Sequence, residues 1–260
     1  MINFYIKNGY LICKNLLDKN LINETKEEIL QVFCYYNKKK YKNLEDACFN
    51  LFEKDYDSFI TCAKASQKII SLKNIFFSKE ILKILHKLGL KIPSINTEPI
   101  VHYSSKYTAK NDFYWKVPFH QDWPSNQGSL NGITCWIPFQ KTNKKLGALE
   151  LVPKSHLWGS LEHKYEGIPV IKNTNFVNKK IKIAEMEIGD VLFFNTFLVH
   201  KSGINKTKKI RLSSATRYND LAENTFIERN YPNHPENEKR MANTNFPNKK
   251  QLKKAINVGI

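Results

Sequence analysis

The hydrophobic pattern divides the chain into a helical first part and a strand-rich second part. Before residue 91, apolar positions recur at helical spacing in the segments "LINETKEEILQVFCYY", "NLEDACFNLFEK", "YDSFITCAKASQKIISL" and "SKEILKILHKLG". Asp18 and Ser78 stand where N-caps are expected, and Gly89 stands where a left-handed residue would close the last helix. One short strand, "GYLICKNL", precedes these helices. We therefore expect residues 1–91 to form a helical support region.

From about Ile92 the pattern changes to short apolar or alternating runs separated by Gly, Pro and Asn, which predict strands. These runs are "TEPIVHYSS", "GITCWIPF", "GALELVP", "IKIAEMEIGDVLFF" and "IRLSSATRY". Strands and helices do not alternate, so the pattern favours an α+β fold in which helices flank a mainly β barrel. We expect residues 92–218 to form the barrel core and the polar tail 219–260 to form an extended arm or a partly mobile segment, all within one domain.

The net charge raises the question of a polyanionic partner. The chain has 41 Lys and Arg against 24 Asp and Glu, a formal net charge of +17. The lysines are scattered among asparagines, as in "YYNKKKYKN", without the arginine and aromatic interleaving of a nucleic-acid groove. A solvated lysine surface is therefore the expected interpretation, with neither nucleic acid nor a membrane as partner.

The cysteines and the chain start indicate a reducing, cytoplasmic location. The five cysteines are odd in number, form no C-x-x-C pair and sit mostly among apolar neighbours, so they are expected to be free, packed thiols. The opening "MINFYIKNGYLICKNLL" is interrupted by Lys7 and Lys14, which is typical of neither a signal peptide nor a membrane span.

The segment "FHQDW" carries the strongest candidate chemistry. On an extended strand, His120 and Asp122 would project from one face and could share a metal ion. Two histidines and one carboxylate form a triad that leaves open positions on octahedral iron(II). The third ligand that we select is His200, because "EIGDVLFFNTFLVHKSG" places it after a buried strand and a break near Asn195.

The other histidines have weaker context, and a single histidine or a lone H-x-D pair often has no metal role. His86 lies on a predicted helix, His163 and His234 lie in polar stretches, and His102 and His156 follow apolar strands. What strengthens the proposed triad is the strand that follows His200. That strand carries Arg211 and, on the same face, Ser213, and an arginine there could bind a dicarboxylate through two parallel hydrogen bonds.

Several segments together resemble the phytanoyl-CoA dioxygenase-like branch of the iron(II)- and 2-oxoglutarate-dependent oxygenases. They are "HQDW", "ITCWIPF", "LGALELVPKSH" and "GDVLFFNTFLVHKSGINKTKKIRLSSATRY", within about residues 98–218. The resemblance implies a double-stranded β-helix, a jelly-roll, cupin-like barrel. It also implies that the iron ligands are His120, Asp122 and His200. The chain departs from the family at Lys154, where a glycine is usual, which leaves the geometry of that turn open.

The resemblance further implies which side chains serve the cosubstrate. Arg211, helped by Ser202, would hold the distal carboxylate of 2-oxoglutarate, and Trp136 would line its pocket. The implied reaction uses Fe(II), 2-oxoglutarate and O2, releases succinate and CO2, and hydroxylates a small molecule or small-molecule conjugate. The intact carboxylate of Asp122 favours hydroxylation, because halogenating relatives have a small residue at that position.

Two alternatives remain open at this stage: an oxygenase that modifies nucleic acid, favoured by the net charge and by the pair Arg211 and Arg217, and a barrel that binds a metal or ligand without turnover. Six residues of strand span about 20 Å, so both arginines cannot hold one small cosubstrate. We therefore expect Arg217 to form an ion pair at the strand end.

Three further side chains have open roles. For Trp115 and Trp123 we favour core packing over a lid, and for His156 a turn-stabilising and a metal-supporting role are equally open. The substrate and the oligomeric state do not follow from the sequence.

Overall fold

The computed structural model describes residues 1–110, 115–175, 181–232 and 247–257. Its first part contains the helices α1 Ile2–Asn8, α2 Lys19–Asn37, α3 Leu44–Lys54, α4 Tyr56–Ser66, α5 Ile70–Phe76 and α6 Lys79–Lys87. The predicted caps are confirmed: the Asp18 side chain accepts from Asn20 N, the Ser78 side chain accepts from Ile81 N, and Gly89 has a φ of 101°. One predicted segment, "YDSFITCAKASQKIISL", divides into α4 and α5.

In the described part of the chain the strands are β1 Tyr10–Cys13, β2 Pro93–Ser104, β3 Ile133–Pro138, β4 Glu150–Leu151, β5 His163–Tyr165, β6 Pro169–Ile171, β7 Lys182–Ile183, β8 Val191–Asn195, β9 His200–Lys201 and β10 Arg211–Asp220. The large sheet has the antiparallel order β1-β8-β3-β10-β2, and a smaller one has the order β7-β4-β9. His120 forms single bridges to Val170 of β6 and to His200 of β9. It thereby connects the β5-β6 pair to the smaller sheet.

The two faces of the large sheet bury different sets of apolar side chains, as strand alternation requires. One face packs against the helices of the first part through Leu11, Val101, Cys135, Phe193 and Leu212. The opposite face meets the smaller sheet through Tyr10, Trp136, Leu192, Phe194 and Ala215, which cluster with Leu149 and Leu151. The space between the sheets is therefore the barrel interior, and the expected fold of a β barrel with flanking helices is confirmed.

The tail after residue 218 differs from the expected extended arm wherever it is described. Strand β10 continues to Asp220, and the helices α8 Asn224–Glu228 and α9 Lys249–Asn257 follow. Leu252 of α9 is fully buried in a cluster with Trp123, Leu130 and Phe197. A few apolar positions at helical spacing thus dock a lysine-rich helix onto the barrel. The division into support region, core and arm otherwise stays a prediction.

The cysteines agree with the expectation of free, packed thiols. All five cysteines lie in the described residues and are free, and Cys13, Cys48, Cys62 and Cys135 are buried. Burial raises the pKa of the Cys13 and Cys62 thiols to about 11, so these groups stay protonated and inert at neutral pH. None of the helices in the described residues combines the length and the apolar character that a membrane crossing needs.

Candidate active site

The three predicted metal ligands converge inside the barrel. His120, Asp122 and His200 are all buried, and one ligand atom from each lies within 4.8 Å of the others. The His120 Nε2 atom is 3.7 Å from Asp122 Oδ1, and the His200 Nε2 atom is 4.0 Å from the same oxygen. Two imidazole nitrogens and one carboxylate oxygen thus face a common point, which is the donor set of a facial iron(II) triad.

The backbone fixes the ring orientation of both histidines. His120 Nδ1 lies 2.8 Å from the carbonyl oxygen of Pro118, and His200 Nδ1 lies 2.9 Å from that of Leu198. A carbonyl only accepts, so each Nδ1 carries the proton and each Nε2 presents its lone pair to the common point. Burial, reinforced by the neighbouring His200, lowers the pKa of His120 to about 3, and burial also lowers the pKa of His200. Both rings are therefore neutral at physiological pH, the form that binds a metal.

Asp122 is a buried carboxylate that three donors hold in place. Thr134 Oγ1 donates to Oδ2 at 2.6 Å, and Arg217 donates to Oδ2 through Nε at 3.2 Å and to Oδ1 through Nη2 at 3.0 Å. Burial alone would raise the pKa of Asp122, but Arg217, His200 and His120 together hold it well below its usual range. Asp122 is therefore ionised at all physiological pH values.

The expectation that Asp122 continues an extended strand is wrong. His120 makes its bridges in extended conformation, but Asp122 has φ −73° and ψ −31° and precedes the short helix α7, Trp123–Asn126. Pro124 lies in the first turn of this helix, where its fixed φ favours helical geometry. The side chains still converge, because the turn begins directly after the bridge.

A second polar group in the barrel surrounds Arg211. The arginine is 3% exposed, its Nη1 donates to the carbonyl oxygen of Gly147, and its Nε has no hydrogen-bond partner among the described residues. Ser213 Oγ, on the same face of β10, is likewise buried without a partner. Burial lowers the pKa of Arg211 only to about 10, so the guanidinium stays charged. A buried cation and an unpaired hydroxyl of this kind suit an anionic ligand that accepts from both.

Of the two other predicted cosubstrate residues, Trp136 lies beside Arg211. The Trp136 ring centroid is 6.0 Å from the Arg211 guanidinium carbon. Ser202 directly follows β9, is half-buried, and donates its backbone N–H to the carbonyl oxygen of Val117 at 3.0 Å. Whether Ser202 and Trp136 contact the cosubstrate stays a prediction.

The sequence did not predict the contacts that Arg217 and His102 make in the site. Arg217 forms the ion pair expected of it, but its partner is the proposed metal ligand Asp122. His102 of β2 lies directly opposite Ser213 in the strand register. Burial, with Arg217 and Arg211 nearby, lowers the pKa of His102 to about 3. Alternation along "TEPIVHYS" indicates a common face for every second residue, but only the register brings His102 beside Ser213.

Several of the remaining candidates make contacts that support structural roles. His156 Nε2 donates to the carbonyl oxygen of Ile6, which supports the turn-stabilising interpretation. His86 contacts the carbonyl oxygen of Leu90 at the end of α6, His163 lies in β5, and His234 lies outside the described residues. Trp123 is buried and stacks on Phe197 with ring centroids 5.0 Å apart, which supports core packing.

The fold and the triad define a non-haem iron oxygenase barrel, and the comparisons specify the family. The profile of the phytanoyl-CoA dioxygenase (PhyH) family matches residues 5–213. The chain therefore belongs to the phytanoyl-CoA dioxygenase family. The predicted enzyme class, an Fe(II)- and 2-oxoglutarate-dependent dioxygenase that uses O2, is thereby confirmed.

Curated relatives of this chain are named as hydroxylases. It is 26% identical over 231 residues to the 1-deoxypentalenic acid 11-beta-hydroxylase of Streptomyces exfoliatus, covering 82% of this chain and 78% of that protein. It is 31% identical over 134 residues to the methylphosphonate hydroxylase of Gimesia maris, covering 52% of this chain and 51% of that protein.

Solved structures support the fold. The epimerase SnoN from nogalamycin biosynthesis, in complex with Fe3+, alpha ketoglutarate and nogalamycin RO, aligns with a TM-score of 0.60 at 16% identity, over 84% of this chain and 82% of that chain. The non-heme monooxygenase ThoJ aligns with a TM-score of 0.60 at 16% identity, over 84% of this chain and 76% of that chain.

Proposed function

We propose that this protein hydroxylates a small molecule or a small-molecule conjugate, with His120, Asp122 and His200 as iron ligands and Arg211 as the anchor of 2-oxoglutarate. One observation carries the proposal. The same barrel interior holds two neutral histidines and one ionised aspartate as metal ligands, and a buried, charged arginine whose Nε lacks a partner among the described residues. A barrel that only stored a metal would have no use for the second feature, because a buried, incompletely paired cation destabilises the fold.

The side chains fit iron(II) in donor type and in protonation state. The triad supplies two neutral nitrogens and one anionic oxygen, so a bound Fe(II) would keep about one positive charge and attract an anionic cosubstrate. When bound, iron together with 2-oxoglutarate and O2 supplies an oxidant that can replace C–H by C–OH, with release of succinate and CO2. The protein contributes orientation: the carbonyls of Pro118 and Leu198 fix the two rings before the metal arrives.

The arginine region fits the distal carboxylate of 2-oxoglutarate. Arg211 offers Nε, and Ser213 offers a hydroxyl, from the same face of β10. Ser202 and Trp136 would complete this pocket, as the family resemblance implies. Ser213 is thus an addition to the residues that the sequence predicted for the cosubstrate.

A small molecule is the favoured class of substrate. The two hydroxylases described above are named for small molecules, 1-deoxypentalenic acid and methylphosphonate. The arginine pair, which with the net charge favoured nucleic acid, does not face a partner: Arg217 is ion-paired with Asp122, and Arg211 is buried.

Succinate release tests the proposal directly. Purified protein should be loaded anaerobically with Fe(II), mixed with 2-oxoglutarate and a panel of acyl-CoA thioesters, amino acids, sugar nucleotides and natural-product acids, and then exposed to O2. We expect at least one compound to raise succinate release above the background rate, and Asp122→Ala to remove that increase. Stimulation by oligonucleotides alone, with binding that weakens steeply between 50 and 200 mM salt, would favour the nucleic-acid alternative instead.

A further inference from the structure

We infer that Thr134 and Arg217 are positioning residues that bind Oδ2 of Asp122 and leave Oδ1 as the single oxygen for the metal. This inference rests on the proposed iron site. The two oxygens of the Asp122 carboxylate have different neighbours. Both histidine Nε2 atoms approach Oδ1, at 3.7 and 4.0 Å, whereas Thr134 Oγ1 and Arg217 Nε donate to Oδ2.

The strand register places the two donors together. Thr134 of β3 lies directly opposite Arg217 of β10, so both side chains project from the same face of the large sheet into the barrel. The Thr134 bond, at 2.6 Å, has the length of a charge-assisted hydrogen bond between oxygens. Arg217 adds a two-bond fork, with Nε on Oδ2 and Nη2 on Oδ1. Asp122 therefore has little freedom to rotate about its terminal torsion.

The consequence concerns the number of open metal positions. A carboxylate can bind a metal through one oxygen or through both. If Oδ2 were free to rotate inward, Asp122 could occupy a second position, which the cosubstrate or O2 needs. Held by Thr134 and Arg217, Oδ2 stays on the barrel wall and Oδ1 alone points to the common point of the triad.

Charge and orientation make opposite predictions for Arg217. A nearby guanidinium repels a metal cation, so an arginine that acted only through its charge would weaken metal binding, and its removal would strengthen it. If Arg217 instead acts by orienting Asp122, its removal should weaken metal binding. Thr134 distinguishes the electrostatic role from the orienting role, because Thr134→Val removes the hydroxyl donor without changing any charge.

Cobalt(II) is a suitable probe, because it is stable in air and its visible absorption responds to the number and type of its ligands. We would titrate Co(II) into the metal-free wild type, Thr134→Val, Arg217→Gln and Arg217→Lys, and record dissociation constants and spectra. Loss of such supporting partners typically weakens metal binding by about 10- to 100-fold. We expect losses of that size for Thr134→Val and Arg217→Gln, altered visible bands in both, and an intermediate affinity for Arg217→Lys, which keeps the charge but not the fork.

Two further variants sharpen the test. Thr134→Val combined with Arg217→Gln should cost less than the sum of the single changes in binding free energy, because both residues hold the same oxygen. The control is Thr216→Val. Thr216 is buried on β10 and donates to the carbonyl oxygen of Thr97, without a bond to Asp122. It should lower thermal stability and leave Co(II) binding and the spectrum as in the wild type.

The outcomes separate this inference from the proposed function. If the wild type itself binds no Co(II) or Fe(II), the iron site is wrong. If the wild type binds Co(II) and both Thr134→Val and Arg217→Gln keep its affinity and spectrum, only the positioning role is overturned. Tighter binding in Arg217→Gln together with unchanged binding in Thr134→Val would likewise overturn it, in favour of a purely electrostatic role.

Discussion

His120 and His200 exchange both backbone hydrogen bonds of one antiparallel bridge, with N···O distances of 3.0 and 3.1 Å. Their rings consequently lie side by side, with centroids 4.1 Å apart. Two ligands that are 80 positions apart in sequence are thus fixed to each other by the main chain, and their spacing does not depend on the metal. This relationship makes the metal site preformed.

A preformed site predicts that each histidine can be replaced without loss of the fold. His120→Ala and His200→Ala should keep the backbone bridge and the far-UV circular dichroism of the wild type, while losing stoichiometric iron. Metal analysis after anaerobic loading and desalting measures this. His86→Ala, at the end of α6, is the matched control and should retain one iron per chain. Full iron content in either ligand variant would reassign that ligand.

Asp122→Asn should remove turnover and reduce stability together. The amide is a neutral, weaker ligand, and Arg217 loses the carboxylate that balances its charge in a mostly buried position. Breaking such a pair costs about 3–5 kcal/mol. Chemical denaturation of the metal-free protein and succinate release would measure the two effects. Asp190→Asn, which breaks the ion pair with Lys14 away from the barrel interior, should reduce stability and spare the iron. Undiminished hydroxylation by Asp122→Asn would contradict the assigned ligand role.

Lys154→Gly should stabilise the protein. Lys154 is exposed and has φ 70°, a left-handed conformation that costs an L-residue about 1 kcal/mol and a glycine almost nothing. We expect the free energy of unfolding to rise by about 0.5–1 kcal/mol. Lys154→Ala is the control, because alanine removes the lysine side chain but keeps the backbone cost. An equal gain from alanine would show that the side chain, not the backbone, is responsible.

The unfolding free energy of the metal-free protein should fall as the pH drops below about 6.5. Burial lowers the pKa of His156 to about 4, against an ordinary value of 6.5. A histidine whose pKa is lower in the folded than in the unfolded state takes up its proton first in the unfolded state. Its contribution to the free energy of unfolding is therefore complete above pH 6.5 and is lost as the pH falls to 4. Each such group adds a slope of about 1.4 kcal/mol per pH unit within that window. His156→Gln should show a shallower slope between pH 6.5 and 4 and a wild-type slope above pH 7. An unchanged slope would mean that His156 is not a neutral, buried group.

The sequence predicted the elements of the site that depend on local signals. The spacing of His120 and Asp122, the break before His200 and the strand position of Arg211 are all visible within short windows. The helix α7 could have been predicted as well, because Pro124 directly follows "HQDW" and favours a helical first turn.

The contacts that depend on strand register could not be predicted from short windows of the sequence. The opposition of Thr134 and Arg217, and that of His102 and Ser213, arise only when β10 pairs with β3 on one side and with β2 on the other. The register of β10 and β2 contains irregularities between Ala215 and Tyr218. Alternation within one strand cannot fix such a pairing, so the partner of Arg217 became known only from the fold.

We propose that one barrel interior binds iron and anchors 2-oxoglutarate through Arg211. The most direct measurement is an anaerobic titration of 2-oxoglutarate into the Fe(II)-loaded wild type, Arg211→Lys and Arg211→Ala, followed by the metal-to-keto-acid absorption band. Loss of the buried charge pair should raise the dissociation constant by about two to four orders of magnitude in Arg211→Ala. Arg211→Lys should recover part of the affinity, and all three proteins should keep their iron. Equal dissociation constants in the three proteins, or no band in the iron-loaded wild type, would contradict the account.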